Sequence, residues 1–332
     1  MRDYIEIHLI KRPDGSPVGP HMFKVINKVI PTPSDGEFLV MQTHMSMDPA
    51  MFGWMMPDED SYIPPVPLDS IMRSSGVGKV VSSNHPDFLV GDTVMGMFGW
   101  TEYALTNGAG VSKISSQVDA ETALAVFALP GITAMHGLFN NCAPKSGETL
   151  FVTGAAGSVG SLVGQLAKAE GLQVVGIVGD DEKAHWILEE LGFDGAINYK
   201  TDDIAAKVAE LAPNGIDIFF ENTGGAAQQH IFNHMNAHGR ITVCGMIADY
   251  TNAEPSPGPN WIPIITKRLK IQGFTMPDHL DQIPDLLSKL TPYVTSGQIK
   301  YRTHVLDGLK SAMTALNLFV TGQNKGKLII RL

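Results

Sequence analysis

The stretch Glu148-Thr149-Leu150-Phe151-Val152-Thr153-Gly154-Ala155-Ala156-Gly157-Ser158-Val159-Gly160 constrains the fold more than any other part of the chain. A β-rich run enters a turn with glycines spaced Gly-x-x-Gly-x-x-Gly, and small residues begin a helix at once. A helix starting there leaves its first amides unbonded, and its dipole adds positive potential at the same point, so the junction suits an anion. Glycines let the backbone approach a diphosphate closely. The same spacing also arises from plain tight packing of a helix on a strand. The surrounding pattern separates the two readings. Apolar strands at 149–153, 173–178, 216–220, 240–244 and 269–274 alternate with helical stretches at 158–170 and 182–191, as in a parallel sheet covered on both faces. The fold class expected is α/β, with a Rossmann doubly wound parallel sheet.

Residues 1–125 read differently. Runs such as Glu37-Phe38-Leu39-Val40 and Val77-Gly78-Lys79-Val80-Val81 alternate with Pro, Gly and Asp punctuation, the texture of a small, mostly β, barrel-like domain. Beyond the sheet region, helical periodicity at 281–293 and 308–320 precedes Gly326-Lys327-Leu328-Ile329-Ile330-Arg331, a strand expected to rejoin the first domain. At 332 residues the chain exceeds what one core usually organises. The division expected is a β-rich catalytic domain at 1–125, a Rossmann domain at 126–297 and a returning segment at 298–332.

An NAD site usually places a carboxylate at the end of the second strand, on the ribose 2′-hydroxyl. Here that strand ends Val175-Gly176-Ile177-Val178-Gly179, with no acid at Val178 or Gly179. Lys183 follows, and Tyr199 stands in Asn198-Tyr199-Lys200; a cation and a phenol suit a 2′-phosphate. Asp180 and Asp181 argue the other way, since either carboxylate suits a ribose hydroxyl, and Lys183 alone also reads as a solvated helix charge. The cofactor expected is NADPH.

Several motifs, in order, carry a family resemblance. They are Met95-Gly96-Met97-Phe98-Gly99-Trp100-Thr101-Glu102-Tyr103, the glycine loop, Gly179-Asp180-Asp181-Glu182-Lys183 and Asn198-Tyr199-Lys200. Phe220-Glu221-Asn222-Thr223-Gly224-Gly225, Val243-Cys244-Gly245-Met246-Ile247-Ala248-Asp249-Tyr250 and Gly322-Gln323-Asn324-Lys325-Gly326-Lys327 follow. With these the chain resembles the zinc-independent medium-chain dehydrogenase/reductases, nearest the leukotriene B4 12-hydroxydehydrogenase/prostaglandin reductase and curcumin-reductase-like group. The resemblance implies a GroES-like catalytic domain beside the Rossmann domain, NADP as cofactor and a homodimer. It implies that Gly157, Ser158, Val159 and Gly160 face the pyrophosphate and that Lys183 and Tyr199 hold the 2′-phosphate. It further implies that Asn222, Cys244, Gly245, Met246, Ile247, Tyr250, the backbone near Phe274, and Asn324 surround the nucleotide. Three departures stand out: Asp180 replaces a usual serine or glycine, Pro49-Ala50-Met51-Phe52-Gly53-Trp54 lacks the usual two arginines and tyrosine, and Met135-His136 replaces a usual aromatic.

Zinc alcohol dehydrogenases need an early cysteine ligand, and the cysteines here are Cys142 and Cys244, so no metal is expected. Hydride addition to an activated C=C instead builds negative charge on the carbonyl oxygen, which calls for a hydrogen-bond donor. Tyr250, just past a strand end, is the first candidate, against a purely structural tyrosine; the resemblance gives it the same role. Tyr62 resembles the family's loop tyrosine, against a plain exposed aromatic. The activity expected is reduction of the C=C bond of small hydrophobic enones or enals, with Met51, Phe52, Trp54, Trp100, Trp261 and Ile262 lining the mouth and 255–260 as a closing loop. A quinone reductase and a catalytically idle NADPH-binding or redox-sensing protein are the rival readings. His230, His234 and His238 share a four-residue spacing suggestive of one helical face, read as solvated. The methionines from Met41 to Met56 read as core or an adaptable apolar pocket.

The net charge of −10 argues against nucleic acid as partner. Met1-Arg2-Asp3-Tyr4-Ile5-Glu6 lacks the apolar core of a signal peptide, and no run of about 20 apolar residues suggests a membrane span. Two cysteines fit a reducing compartment, and a cytoplasmic location is the default expectation.

Overall fold

Strands buried on both faces need helices above and below them, whereas strands with alternating burial need only one covered face; the chain uses both solutions. A computed structural model describes residues 3–252, 254 and 256–332. Met1, Arg2 and Pro255, the first residue of the expected closing loop, lie outside the described residues. Two units form, one from 1–125 with 303–332, the other from 126–302.

The first unit contributes β1 (Asp3–Leu9), β2 (Phe23–Val29), β3 (Phe38–Ser46), β4 (Ser70–Ile71), β5 (Gly76–Ser83), β6 (Thr93–Gly96), β7 (Tyr103–Thr106) and β8 (Ser112–Lys113). The second contributes β9 (Thr149–Thr153), β10 (Gln173–Val178), β11 (Gly195–Asn198), β12 (Ile216–Glu221), β13 (Met235–Val243) and β14 (Lys270–Gly273). The chain then returns with β15 (Thr303–Asp307) and β16 (Lys327–Arg331).

In the second unit the six strands run parallel in the order β11-β10-β9-β12-β13-β14. This is the doubly wound arrangement, and the strand order reverses between β9 and β12. Leu150, Phe151, Val152, Val174, Val175, Ile218, Phe219 and Phe220 are buried, as expected for strands covered on both sides. Arg240 donates to both carboxylate oxygens of Glu148, tying β13 to the segment that enters β9. Helix Ala226–His234 ends directly in β13, so the shared face expected of the three histidines does not exist: His238 lies in that strand at φ 65°.

The first unit holds a three-stranded sheet, β2-β1-β4, and a seven-stranded mixed sheet ordered β15-β16-β3-β5-β6-β8, with β7 also on β3. Strand β16 lies between β15, parallel, and β3, antiparallel, with Ile330 opposite Met45. Its first residue turns inward: Lys327 is 2% exposed, and its Nζ donates to Met47 O at 2.9 Å and to Asp48, whose other oxygen accepts from Ser46 Oγ. Met45, Met47, Met51, Phe52, Trp54, Met55 and Trp100 form the core around it with Leu328 and Ile330. Met45, Met47, Met51 and Met55 are therefore packing residues, adaptable enough to fill an irregular core, whereas Met41 is half-buried and Met56 is exposed.

That core corrects the expected mouth. Met51, Phe52, Trp54 and Trp100 are enclosed, while Trp261 and Ile262 are exposed. Each enclosed aromatic removes a large apolar surface from water, about 1.5–3 kcal/mol for a side chain of this size, and the bare sequence did not distinguish a cavity wall from a core wall. The segment expected to be helical at 308–320 is helical from Leu309 to Val320, in the runs Leu309–Ser311, Ala312–Ala315 and Asn317–Val320, with the linking Leu316 also in the helical region. A further correction concerns the helical run Ala120–Cys142, 23 residues with mean hydropathy 1.5: by length and composition it is apolar enough to cross a membrane. Its most apolar window is 78% buried, as in the core helix of a globular fold.

Candidate functional site

In open parallel sheets, ligands settle beyond the carboxyl ends of the strands, at the point where strand order reverses. Strand β9 delivers the glycine loop to that point. Gly157 N–H donates to Gly154 O at 2.8 Å, closing a tight turn, and helix Ser158–Ala169 begins immediately. No side chain caps this helix and no acid stands in its first turn, so the amides of Ser158, Val159 and Gly160 are left for a ligand. A Cβ on Gly160 would meet Gly154 O at 2.4 Å, so the close approach of helix to loop requires glycine there.

The loop after β12 is laced to β9. Thr153 Oγ1 donates to Glu221 and accepts from Asn222 N–H at 2.8 Å; Asn222 Nδ2 donates to Thr153 O at 2.8 Å. Glu221, fully buried, also accepts from the amides of Thr223 at 2.8 Å and Gly224 at 3.0 Å. Asn222 is thereby fixed at the switch point. Sequence reasoning did not single out Thr153 or Glu221; an acid closing the apolar strand Ile216–Phe220 was the available signal.

At the end of β10, a Cβ on Gly179 would meet the Tyr199 ring at 3.0 Å and its hydroxyl at 3.2 Å. The phenol occupies the space where a carboxylate would stand at this position. Lys183 is 14% exposed at its side chain and lies 3.5 Å from Asp180. Burial pulls its ammonium below the usual lysine range, with Asp180 opposing the shift and Lys200 reinforcing it. Asp180 is also the N-cap of helix Asp181–Glu189, accepting from Lys183 N–H at 2.8 Å, and Asp181 accepts from Asn198 Nδ2 at 2.7 Å. Lys183, Tyr199 and the residue-179 backbone are thus brought together, and neither aspartate extends freely.

Beyond β13, the amides of Cys244 and Gly245 both donate to Glu221 O, and the chain turns tightly through Met246 and Ile247. Tyr250 Oη accepts from Met246 N–H at 3.2 Å, which holds a phenol 37% exposed over the loop backbone. It is not a buried packing tyrosine. Burial, and then the Glu221 carboxylate, push the Cys244 thiol up to about 12, which disfavours the thiolate a nucleophile needs. Phe274 follows β14 and stacks on His136 at 5.2 Å. Burial, then His279 stacked at 3.9 Å, holds His136 below the usual imidazole range.

Two expected residues belong to the first unit. Tyr62, 47% exposed, accepts from Trp54 Nε1 at 3.1 Å, and the Arg73 guanidinium lies 5.5 Å over the Trp54 ring. Asn324 donates to Gly326 O at 3.2 Å, holding the turn that leads into β16. Among the described residues no group of three or more His, Cys, Asp or Glu is placed to hold a metal ion.

Comparison with known proteins agrees with this geometry. A family profile described as the N-terminal domain of oxidoreductase matches residues 6–114, and one described as zinc-binding dehydrogenase matches 158–291. The chain is 38% identical to the NADPH-dependent curcumin reductase of Escherichia coli (strain K12), over 97% of this chain and 95% of that protein. It is also 38% identical to the NADP(+)-dependent 2-alkenal reductase of Nicotiana tabacum, over 89% and 87%. The crystal structure of CurA in complex with NADPH from Vibrio vulnificus matches with a TM-score of 0.92 and 36% identity, covering 98% of each chain.

Proposed function

The chain belongs to the zinc-independent branch of the medium-chain dehydrogenase/reductases, related to curcumin, prostaglandin and alkenal reductases, and from that premise we propose that it is an NADPH-dependent reductase of the C=C bond of small enones and enals. The observation that carries the activity is near-full-length similarity to reductases of this kind, on a chain whose glycine loop and 179–199 region fit the phosphates of NADPH.

When bound, NADPH supplies the hydride that adds to the substrate β-carbon. The residues supply the rest. The amides of Ser158, Val159 and Gly160 take the diphosphate, which Gly157 faces as the residue before the helix, and Lys183 and Tyr199 take the 2′-phosphate. Within the second unit, Asn222, Cys244, Gly245, Met246, Ile247 and Phe274 border the remainder of the nucleotide. Tyr250 donates a hydrogen bond to the carbonyl oxygen as enolate charge grows there, and Tyr62 is its second candidate partner. Tyr62 is steadied by Trp54, and a polar hydroxyl on an aromatic body suits a substrate that is apolar apart from its carbonyl. Two cysteines, neither in a disulfide, suit the reducing cytoplasm in which we place the chain, as the homodimer that the resemblance implies.

The test is loss of the NADPH absorbance band against a panel of enals, enones and benzoquinone, with and without a chelator. Turnover of the conjugated carbonyls that survives chelation supports the proposal; turnover of the quinone alone, or of nothing, overturns it. Lys183→Ala should raise the KM for NADPH by roughly 10–100-fold, the loss expected for a charge-assisted contact, with little change for NADH. Steady-state kinetics with the two cofactors checks this, and equal effects would remove Lys183 from the phosphate site.

A further inference from the structure

We infer that Asp180 limits how strongly this chain prefers a 2′-phosphorylated nucleotide over the unphosphorylated one. The inference rests on the assignment of Lys183 and Tyr199 to the 2′-phosphate. One Asp180 oxygen is fixed by the Lys183 amide at 2.8 Å, and the other lies 3.5 Å from the Lys183 ammonium. The carboxylate therefore already partners the cation that the phosphate requires. It also stands on the solvent side: Asp180 is 45% exposed at its side chain against 14% for Lys183. Asp181 does not compete for this role, because its carboxylate accepts from Asn198. Gly179 does not either, since Tyr199 fills the space of a side chain there.

The two nucleotides meet this carboxylate differently. A phosphate dianion must share Lys183 with a like charge a few ångströms away, which weakens its binding. A ribose 2′-hydroxyl brings no charge and has a proton to donate to the same oxygen. Asp180 thus works against NADPH and for NADH, and narrows the selectivity that Lys183 and Tyr199 create.

Asp180→Asn and Asp180→Ser remove the charge and keep an oxygen that caps the helix, so both variants retain the fold. Dissociation constants for NADPH and NADH, measured by calorimetry on the full chain at fixed ionic strength, supply the readout. We expect NADPH to bind about tenfold tighter in both variants, with NADH unchanged or weaker, and the gain to shrink as salt is raised. A helix cap without electrostatic role would move both nucleotides together. If the wild type binds both and the ratio of the two constants stays the same in the variants, Asp180 has no part in selection and the reductase proposal stands. If the wild type binds neither, the nucleotide site and this inference fail together.

Discussion

Tyr250→Phe is expected to lower kcat by roughly 10²–10³-fold, the loss typical of removing one donor aimed at a developing oxyanion, while NADPH still binds. The expectation follows from where the phenol stands. It is 37% exposed, just past the end of β13, with its oxygen against the Met246 amide at 3.2 Å. Phenylalanine keeps the ring and its contacts, so the change isolates the hydroxyl. A kcat loss with an unchanged nucleotide dissociation constant identifies a group whose interaction strengthens in the transition state. A loss shared equally by both would instead mean that the hydroxyl serves to shape the 244–250 loop. Full turnover with nucleotide bound would exclude Tyr250 as the enolate donor.

The second large effect lies in the first unit and concerns stability. Lys327→Met should destabilise that unit by about 3–5 kcal/mol, because it leaves the Asp48 carboxylate buried without its cation. Lys327 is 2% and Asp48 5% exposed, so water does not replace the lost partner. Combining Lys327→Met with Asp48→Asn removes both charges and should recover roughly half the loss or more, since an uncharged pair carries a smaller desolvation cost. Denaturant titration of the three variants checks the pattern. A Lys327→Met variant as stable as wild type would show that leaving the Asp48 carboxylate without its cation carries no penalty.

The parallel sheet was legible because each of its signals is local: a glycine turn and small residues at a helix start within 148–160, and short apolar runs alternating with helical stretches from 149 to 274. The Rossmann class and the NADPH fit came from the same kind of short-range pattern. What escaped was non-local. Thr153 and Glu221 are 68 positions apart, and only the adjacency of β9 and β12 makes them partners. Asp180 reads from the sequence as a possible ribose ligand; that it also caps helix Asp181–Glu189 and stands beside the Lys183 ammonium depends on the backbone conformation of the first turn. The histidine spacing misled for a related reason: helix gives way to strand at Met235 with no glycine or proline before Gly239 to mark it. Met51, Phe52 and Trp100 were misplaced because residue type alone does not say whether an apolar wall is covered.

The placement of β16 beside β3 has a consequence for the life of the chain before it is finished. The contact of Lys327 with Met47 spans 280 positions, with an entire parallel-sheet unit encoded in between. At roughly 5–20 residues per second, a ribosome needs on the order of tens of seconds to deliver that neighbour. Throughout this interval the His44–Ser46 end of β3, beyond the part that β7 covers, has backbone amides and carbonyls awaiting a partner, and Asp48 awaits its ammonium. The nascent first unit is therefore the part of the molecule most exposed to mispairing and chaperone capture, whereas the second, encoded without interruption, has every strand it needs as soon as β14 emerges.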